Sequence, residues 1–292
     1  MIDLSIIIVS YNTKEFLLKC LQSIIENIGD LKIEIVVVDN ASTDGTISEV
    51  QSYSSKLKII ENAKNVGFSK ANNQGVKEAN GRYLLFLNPD TIVHSKTLEE
   101  MVEFMDNNKE AGAATCKVEL PNGKLDDASH RGFPTPWRAF CYFSGLSKIL
   151  PRSKLFSGYS LGFMNLSVTH EIDACAGAFM MVRKEAGEKI GWWDEDYFWY
   201  GEDLDFCYRL KQKSWKIYFI PDVSILHYKG VSGGIKEISN HITTATEETK
   251  IRATKARFEA MRIFYKKHYQ NKYPEIITWL ILQGINLKER LS

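Results

Sequence analysis

At 292 residues, with 44% hydrophobic and 25% charged side chains, the chain has the composition of an ordinary globular protein with room for one large or two small domains. A formal net charge of +1 removes bulk attraction to nucleic acid as a default, so no nucleic-acid partner is expected. Five cysteines without a CxxC pair, no basic apolar leader after Met1, and no run near the ~18 apolar residues of a membrane span argue against a disulfide framework, a secretory signal and a spanning helix. A cytoplasmic location is expected.

Leu4 to Val9 reads as a buried strand that ends in Ser10-Tyr11-Asn12. A helix follows from about Lys14 to Ile28, with Leu17, Leu21, Ile24 and Ile28 on one face. Ile33 to Val38 is a second strand, ending at Asp39-Asn40, and Ser42, Thr43 and Asp44 are N-cap candidates for the next helix. Leu57 to Ile60 is a third strand, followed by Asn62, Asn65 and Gly67, and a helix runs from about Phe68 to Glu78. Tyr83 to Leu87 is an apolar run without alternation, as suits a strand covered on both faces. Asn88-Pro89-Asp90 ends it, because Pro89 carries no backbone donor.

Strands alternating with helices at this pitch predict βαβ units and a parallel sheet. The polar residues Tyr11-Asn12, Asp39-Asn40 and Asn88-Asp90 all fall at predicted C-terminal strand ends, the edge where open α/β sheets bind ligands. Neither GxGxxG nor GxxxxGK[ST] follows a strand. Acidic and amide residues in place of a glycine cradle suggest metal-assisted diphosphate binding.

Further along, Ser95 to Asn107 has helical spacing and Ala111 to Glu119 is a strand candidate. Pro121 to Gly162 reads as a long loop region with a short helix, rich in aromatic residues. Ile172 to Val182 is dense with small residues before a strand-like run, and its Gly177 allows close approach to a ligand or another element. Gly191 to Tyr200 sets carboxylates among aromatics that include Trp193. Glu202-Asp203-Leu204-Asp205 opens a helix to about Lys213; this acidic turn either complements the helix dipole or holds an oriented base. Short strands are predicted at Lys216–Pro221 and Val223–His227, and a helix from about Glu247 to His268 places Ile251, Thr254, Phe258, Met261 and Tyr265 on one face. Seven basic residues lie between Lys250 and Lys267, and Ile276 to Leu282 adds an apolar face with Trp279. These helices either rest on an anionic membrane surface, pack on the body, or form a homodimer contact.

Four stretches carry a family resemblance: Ser5 to Asn12 (SIIIVSYN), Glu34 to Thr46 (EIVVVDNASTDGT), Asn65 to Gly75 (NVGFSKANNQG) and Gly81 to Thr91 (GRYLLFLNPDT). Together they resemble the nucleotide-sugar half of family 2 glycosyltransferases, and the resemblance continues to Tyr228. It implies a GT-A fold: a Rossmann-like, mostly parallel central sheet with helices on both faces, plus a C-terminal helical segment. Residues 1–110 would form the donor subdomain, 111–235 the acceptor and catalytic subdomain of the same domain, and 236–292 the helical segment. The resemblance further implies a nucleoside-diphosphate-sugar donor, Mg2+ or Mn2+, and inversion at the anomeric carbon. Ser10, Tyr11, Asn12, Asp39, Asn40, Asn65, Gly67, Asn72, Asn88 and Asp90 would line the donor site. Asp90 and His227 would hold the metal, Asp203 would be the base with Glu202 beside it, and Gly177 and Trp193 would lie on the acceptor side. A mobile loop at Gly230, Ser232 and Gly233 would cover the diphosphate.

The Asn-Pro-Asp motif and Arg131 to Trp137 (RGFPTPW) are most similar to bacterial rhamnosyltransferases of cell-surface glycan assembly. The expected reaction is therefore transfer of rhamnose from dTDP-rhamnose to a glycan or polyprenyl-linked acceptor, with peripheral membrane contact. A UDP-hexose donor is the first alternative, and an inactive nucleotide- or carbohydrate-binding module the second. A nucleotidyltransferase would want a glycine-rich, arginine-bearing loop after the first strand, which Ser10-Tyr11-Asn12-Thr13 is not. Processive synthesis is disfavoured by the missing QxxRW motif.

Overall fold

The computed structural model describes residues 1–53, 57–235 and 242–292, so the first residues of the C-terminal segment, 236–241, lie outside the described residues. The donor half builds in order β1 (Leu4–Ser10), α1 (Lys14–Glu26), β2 (Ile33–Asp39), α2 (Thr46–Tyr53), β3 (Leu57–Glu61), α3 (Phe68–Glu78) and β4 (Tyr83–Leu87). Then come β5 (Thr91–Val93), α4 (Thr97–Asn107), β6 (Ala111–Glu119), α5 (Pro136–Phe143), α6 (Leu146–Ile149), β7 (His170–Ile172) and β8 (Phe179–Arg183). The chain continues through α7 (Lys184–Ile190), α8 (Glu202–Gln212), β9 (Lys216–His227), α9 (Glu247–His268) and α10 (Glu275–Arg290).

Among the described residues one nine-stranded sheet runs β3-β2-β1-β4-β8-β6-β9-β5, with β7 beside β9. β3, β2, β1 and β4 are parallel, as their crossover helices require. The expectation of parallel pairing ends there. β8 runs antiparallel to both β4 and β6, and β9 returns parallel to β6. β8 is reached through a long irregular stretch instead of a crossover helix, so nothing forces its direction. The two short strands expected around Pro221 are one strand, β9, whose partners step from Cys116↔Ile220 to Lys117↔Ser224. The bulge takes up Pro221, which has no donor to give the ladder.

Apolar strand residues alternate between two cores. Ile6 and Ile8 face α1 and α4, with Leu17, Leu21, Leu98 and Met101, whereas Ile7 and Val9 face α3 and α8, with Ala71, Phe206 and Leu210. Each fully buried Ile or Leu contributes roughly 1.5–3 kcal/mol, which fixes the register of the sheet. Gly75 lets α3 sit directly on the sheet, because a Cβ there would come within 2.5 Å of Ile7 Cγ2. A third, smaller cluster joins Tyr197 to Phe264, Tyr265 and Tyr269 and seats α9. Register places Ser10 beside Asp39, so β1 and β2 end together at the C-terminal edge.

Candidate active site

The strand-end motif becomes a corner through pairing at the far side of the sheet. β5 begins one residue after Asp90 and pairs with the end of β9, Thr91 opposite His227, while Tyr228 N donates to Asp90 O at 2.9 Å. His227 Nε2 thereby lies 3.3 Å from Asp90 Oδ1, and both side chains are almost fully buried. The other ring nitrogen, Nδ1, donates to Asp126 Oδ2 at 2.9 Å, and Lys229 Nζ donates to the second oxygen of Asp126. Burial alone would depress the imidazole pKa, but Asp90 and Asp126 outweigh it and raise the pKa to about 9. Asn88 Nδ2 also stands 3.4 Å from Nε2.

The acidic helix start is aimed by backbone conformation. Tyr200 and Gly201 are both left-handed, at φ 70° and 79°, and the tight turn they make delivers Glu202 and Asp203 to the same cavity as Asp90. Asp203 Oδ1 accepts from Leu204 N at 2.7 Å, and its Oδ2 accepts from Arg131 Nη2 at 2.5 Å. Burial works against the Arg131 charge, yet Asp203 more than restores it, and the guanidinium pKa rises above its ordinary value. Glu202 is 7% exposed, and its Oε2 is buried without a hydrogen-bond partner among the described residues. Burial first, then the neighbouring Asp203 charge, pushes its pKa up to about 8. The third acid of the turn, Asp205, is structural: it accepts from Arg209 Nε at 2.6 Å and pairs with His268 Nε2 at 2.7 Å, tying α9 to α8.

Around these groups lies a cavity of about 1140 Å³, more than the roughly 300–1,000 Å³ that one small ligand uses. Tyr11, Asn40, Asn65 and Gly67 line it, Gly177 lies beside them against the Phe68 ring, and Tyr142 and Phe143 line it too. The family model for glycosyl transferase family 2 matches residues 5–191, which is more than half of the chain.

The chain belongs to glycosyl transferase family 2.

Among the family 2 relatives, the chain is 28% identical over 232 residues to the rhamnosyltransferase WbbL of Escherichia coli K12, covering 76% of this chain and 82% of WbbL. It is 23% identical over 230 residues to the N-acetylglucosaminyl-diphospho-decaprenol L-rhamnosyltransferase of Mycobacterium tuberculosis, covering 75% of this chain and 74% of that enzyme. In structure it resembles GalNAc-T7, crystallised with UDP, GalNAc and Mn2+, at a TM-score of 0.59 and 17% identity. That match covers 94% of this chain and 52% of GalNAc-T7, so the chain spans about half of that protein. The fold of this family 2 chain is GT-A.

Within the GT-A frame the expected donor residues divide into those that border a cavity and those that do not, Asp39 being among the latter at 2% exposure. Tyr11, Asn40, Asn65, Gly67, Asn88 and Asp90 border the cavity, as do Gly177, Glu202, Asp203 and His227. Asn12 borders a smaller adjoining cavity with Thr43 and Arg252, and its Oδ1 accepts from Thr43 N at 2.8 Å. Asn40 spends its amide on the loop, donating to Gly67 O and accepting from Val66 N, so it shapes the wall more than it offers free groups. Ser10 bonds Thr13, and Asn72 donates to Phe68 O; both are buried behind the wall. Trp193 is a correction to the acceptor-side expectation. It is 2% exposed and packs edge-on against Phe86 and Phe68, a core residue with no face on the cavity. Gly230, Ser232 and Gly233 do border the cavity, and Val231 N approaches Asp90 Oδ2 at 3.5 Å.

Three residues of this site escaped sequence reasoning: Asp126, Arg131 and Arg257. Arg131 lies in the quoted rhamnosyltransferase-like stretch, a usable signal, whereas Asp126 sits in an irregular loop among other polar residues. Asp90 and His227 would hold a divalent ion if His227 gave up its Nε2 proton to it, with Asp126 on Nδ1 orienting the ring as outer carboxylates do for metal-bound histidines. Among the described residues no third His, Cys, Asp or Glu joins them, so two protein ligands are what the corner offers.

Proposed function

We propose that this chain is an inverting, metal-dependent glycosyltransferase that moves a deoxysugar, L-rhamnose from dTDP-rhamnose, onto a lipid-linked glycan in cell-surface polysaccharide assembly. The observation that carries the proposal is one cavity holding the buried Asp90–His227 pair at one strand edge and an arginine-paired carboxylate at a helix start. The rhamnosyl and lipid-linked parts rest on the relatives WbbL and the decaprenol-diphosphate enzyme.

Asp90 and His227 would hold Mg2+ or Mn2+, which would supply Lewis-acid neutralisation of the leaving diphosphate. Asp39 would accept the pyrimidine N3–H: its Oδ2 already accepts from Ser42 N, while Oδ1 is buried without a partner among the described residues. Asp203 would take the proton of the acceptor hydroxyl, because its ion pair with Arg131 fixes its orientation toward the cavity. Glu202, protonated at neutral pH by its raised pKa, cannot start as a base; it donates a hydrogen bond to the acceptor or its neighbour. With Asp203 on the acceptor side and the diphosphate at Asp90, a single displacement inverts the anomeric centre.

The deciding measurement is release of free nucleoside diphosphate from a panel of nucleotide sugars with a prenyl-diphosphate-linked glycan acceptor, with and without Mn2+. Turnover with dTDP-rhamnose, abolished in Asp203→Asn while nucleotide binding persists, is expected. Preference for a UDP-hexose overturns the donor assignment, and full activity in Asp203→Asn overturns the base.

A further inference from the structure

The active-site cavity does not stop at the carboxylates. It continues as an apolar trough over α9, walled by α5 on one side and α10 on the other, with Phe140 and Phe143 facing Leu280 and Leu287. The two walls meet closely enough for Lys288 Nζ to lie 4.7 Å from the Phe143 ring centroid. α10 is held in place from below: Tyr265 and Thr278 hydroxyls bond at 3.0 Å, and Arg262 Nη2 donates to Asn286 Oδ1 at 2.9 Å. Yet α10 has no buried residue, and both walls leave large apolar side chains in contact with water, Phe140 at 56% and Leu287 at 60% exposure. Contiguous apolar surface of this kind marks a binding groove.

Charge identifies the occupant. Where the trough meets the catalytic pocket stands Arg257, whose Nε is buried without a partner among the described residues and whose guanidinium lies over Phe258. Lys288 lies farther along the same cavity wall. One buried cation at the head of a groove that is mostly apolar, with a second cation along its wall, fits an amphiphile with an anionic head and a hydrocarbon tail. They do not fit a purely polar glycan.

We propose that the trough between α5 and α10 holds the isoprenoid chain of a prenyl-diphosphate acceptor, with Arg257 taking the acceptor's diphosphate. This deepens the proposed function and rests on its lipid-linked acceptor. The head group is delivered beside Asp203, and the tail leaves along α10 toward the exposed apolar rim.

The test is binding to the full chain without donor, in EDTA so that metal-dependent nucleotide binding is silent. Farnesyl diphosphate, geranylgeranyl diphosphate and inorganic diphosphate are titrated below their micellar concentrations. Each buried carbon is worth about 0.8 kcal/mol, so one extra isoprene unit, half-buried, should tighten binding about thirtyfold. Gly284→Phe fills the trough from a helix position where an added Cβ meets nothing within 4 Å. It should abolish the chain-length dependence and leave inorganic diphosphate binding unchanged, with retained nucleotide binding in Mn2+ confirming the fold. Arg257→Gln should weaken all three ligands.

Equal affinity for inorganic and prenyl diphosphates overturns the proposal. So does wild-type affinity for geranylgeranyl diphosphate in Gly284→Phe. Equal, Gly284-dependent binding to phospholipid vesicles lacking prenyl diphosphate overturns it too, in favour of a membrane-docking face. Because no donor is present, failure here leaves the transfer reaction standing, and failure of transfer leaves this binding standing.

Discussion

Arg131 Nη2 and Asp203 Oδ2 lie 2.5 Å apart, and neither side chain is more than 13% exposed. A loop residue and a helix-start residue 72 positions apart are thus locked together in the cavity wall. Breaking one side of such a pair leaves the other as a buried charge, which costs about 3–5 kcal/mol. Arg131→Ala is expected to lower unfolding free energy by that order in urea and to reduce kcat, with Arg131→Lys recovering part of both. Wild-type stability in Arg131→Ala would show that Asp203 finds another partner.

Glu202 makes stability depend on pH. Its pKa is about 8 in the folded chain against 4.5 for the free side chain, so between those values the native state holds a proton that the unfolded state releases. Stability from this group is present below about pH 4.5 and is lost as pH rises through 8. Glu202→Gln should remove the slope, melting above wild type by roughly 2–4 °C or more at pH 8 while matching it near pH 5. Parallel melting curves across pH 5, 6.5 and 8 would contradict the assignment. Transfer by the wild type should also fall on the alkaline side as Glu202 loses its donor proton.

Asp126 holds His227 Nδ1 at 2.9 Å, and through it would act on a metal held by Asp90 and His227. Losing such an outer carboxylate typically weakens metal binding by about 10–100-fold. Asp126→Asn should show that loss in a Mn2+ titration with nucleoside diphosphate present, while nucleotide binding in EDTA is unchanged. An unaltered Mn2+ affinity would mean that His227 does not ligate.

Asn88 stands beside Asp90 and His227 on the cavity wall, and it brings no charge. With two protein ligands, the ion should depend on the donor phosphates. Calorimetry should therefore detect little Mn2+ binding to the nucleotide-free wild type, and measurable binding to Asn88→Asp. Tight metal binding to the empty wild-type protein would refute the two-ligand corner.

The division between what sequence and structure contribute follows from distance along the chain. β1, β2 and β4 are local apolar runs with local stops, and their shared edge follows from βαβ chirality, so Tyr11, Asn40 and Asp90 could be placed on one side without coordinates. Glu202 and Asp203 open a helix whose acidic turn is visible in any reading of residues 201–205. β5 and β7, at three residues each, are too short to show a period, and β8 carries no local mark of its direction. Trp193 shows the opposite limit: an aromatic between carboxylates looks like a platform, and only packing against Phe86 and Phe206 makes it core.

What the amino-acid sequence determined by itself was the layered α/β frame, the ligand-binding edge and the carboxylates offered there, because these depend on residues within a few positions of one another. Tertiary structure alone decided which groups those carboxylates meet. Asp126 reaches His227 across 101 residues, Arg131 reaches Asp203, and Arg257 faces the pocket from a helix added after the catalytic domain. Such partners are chosen by desolvation: a buried charge must be paired wherever the chain happens to return, and no local pattern records where that is.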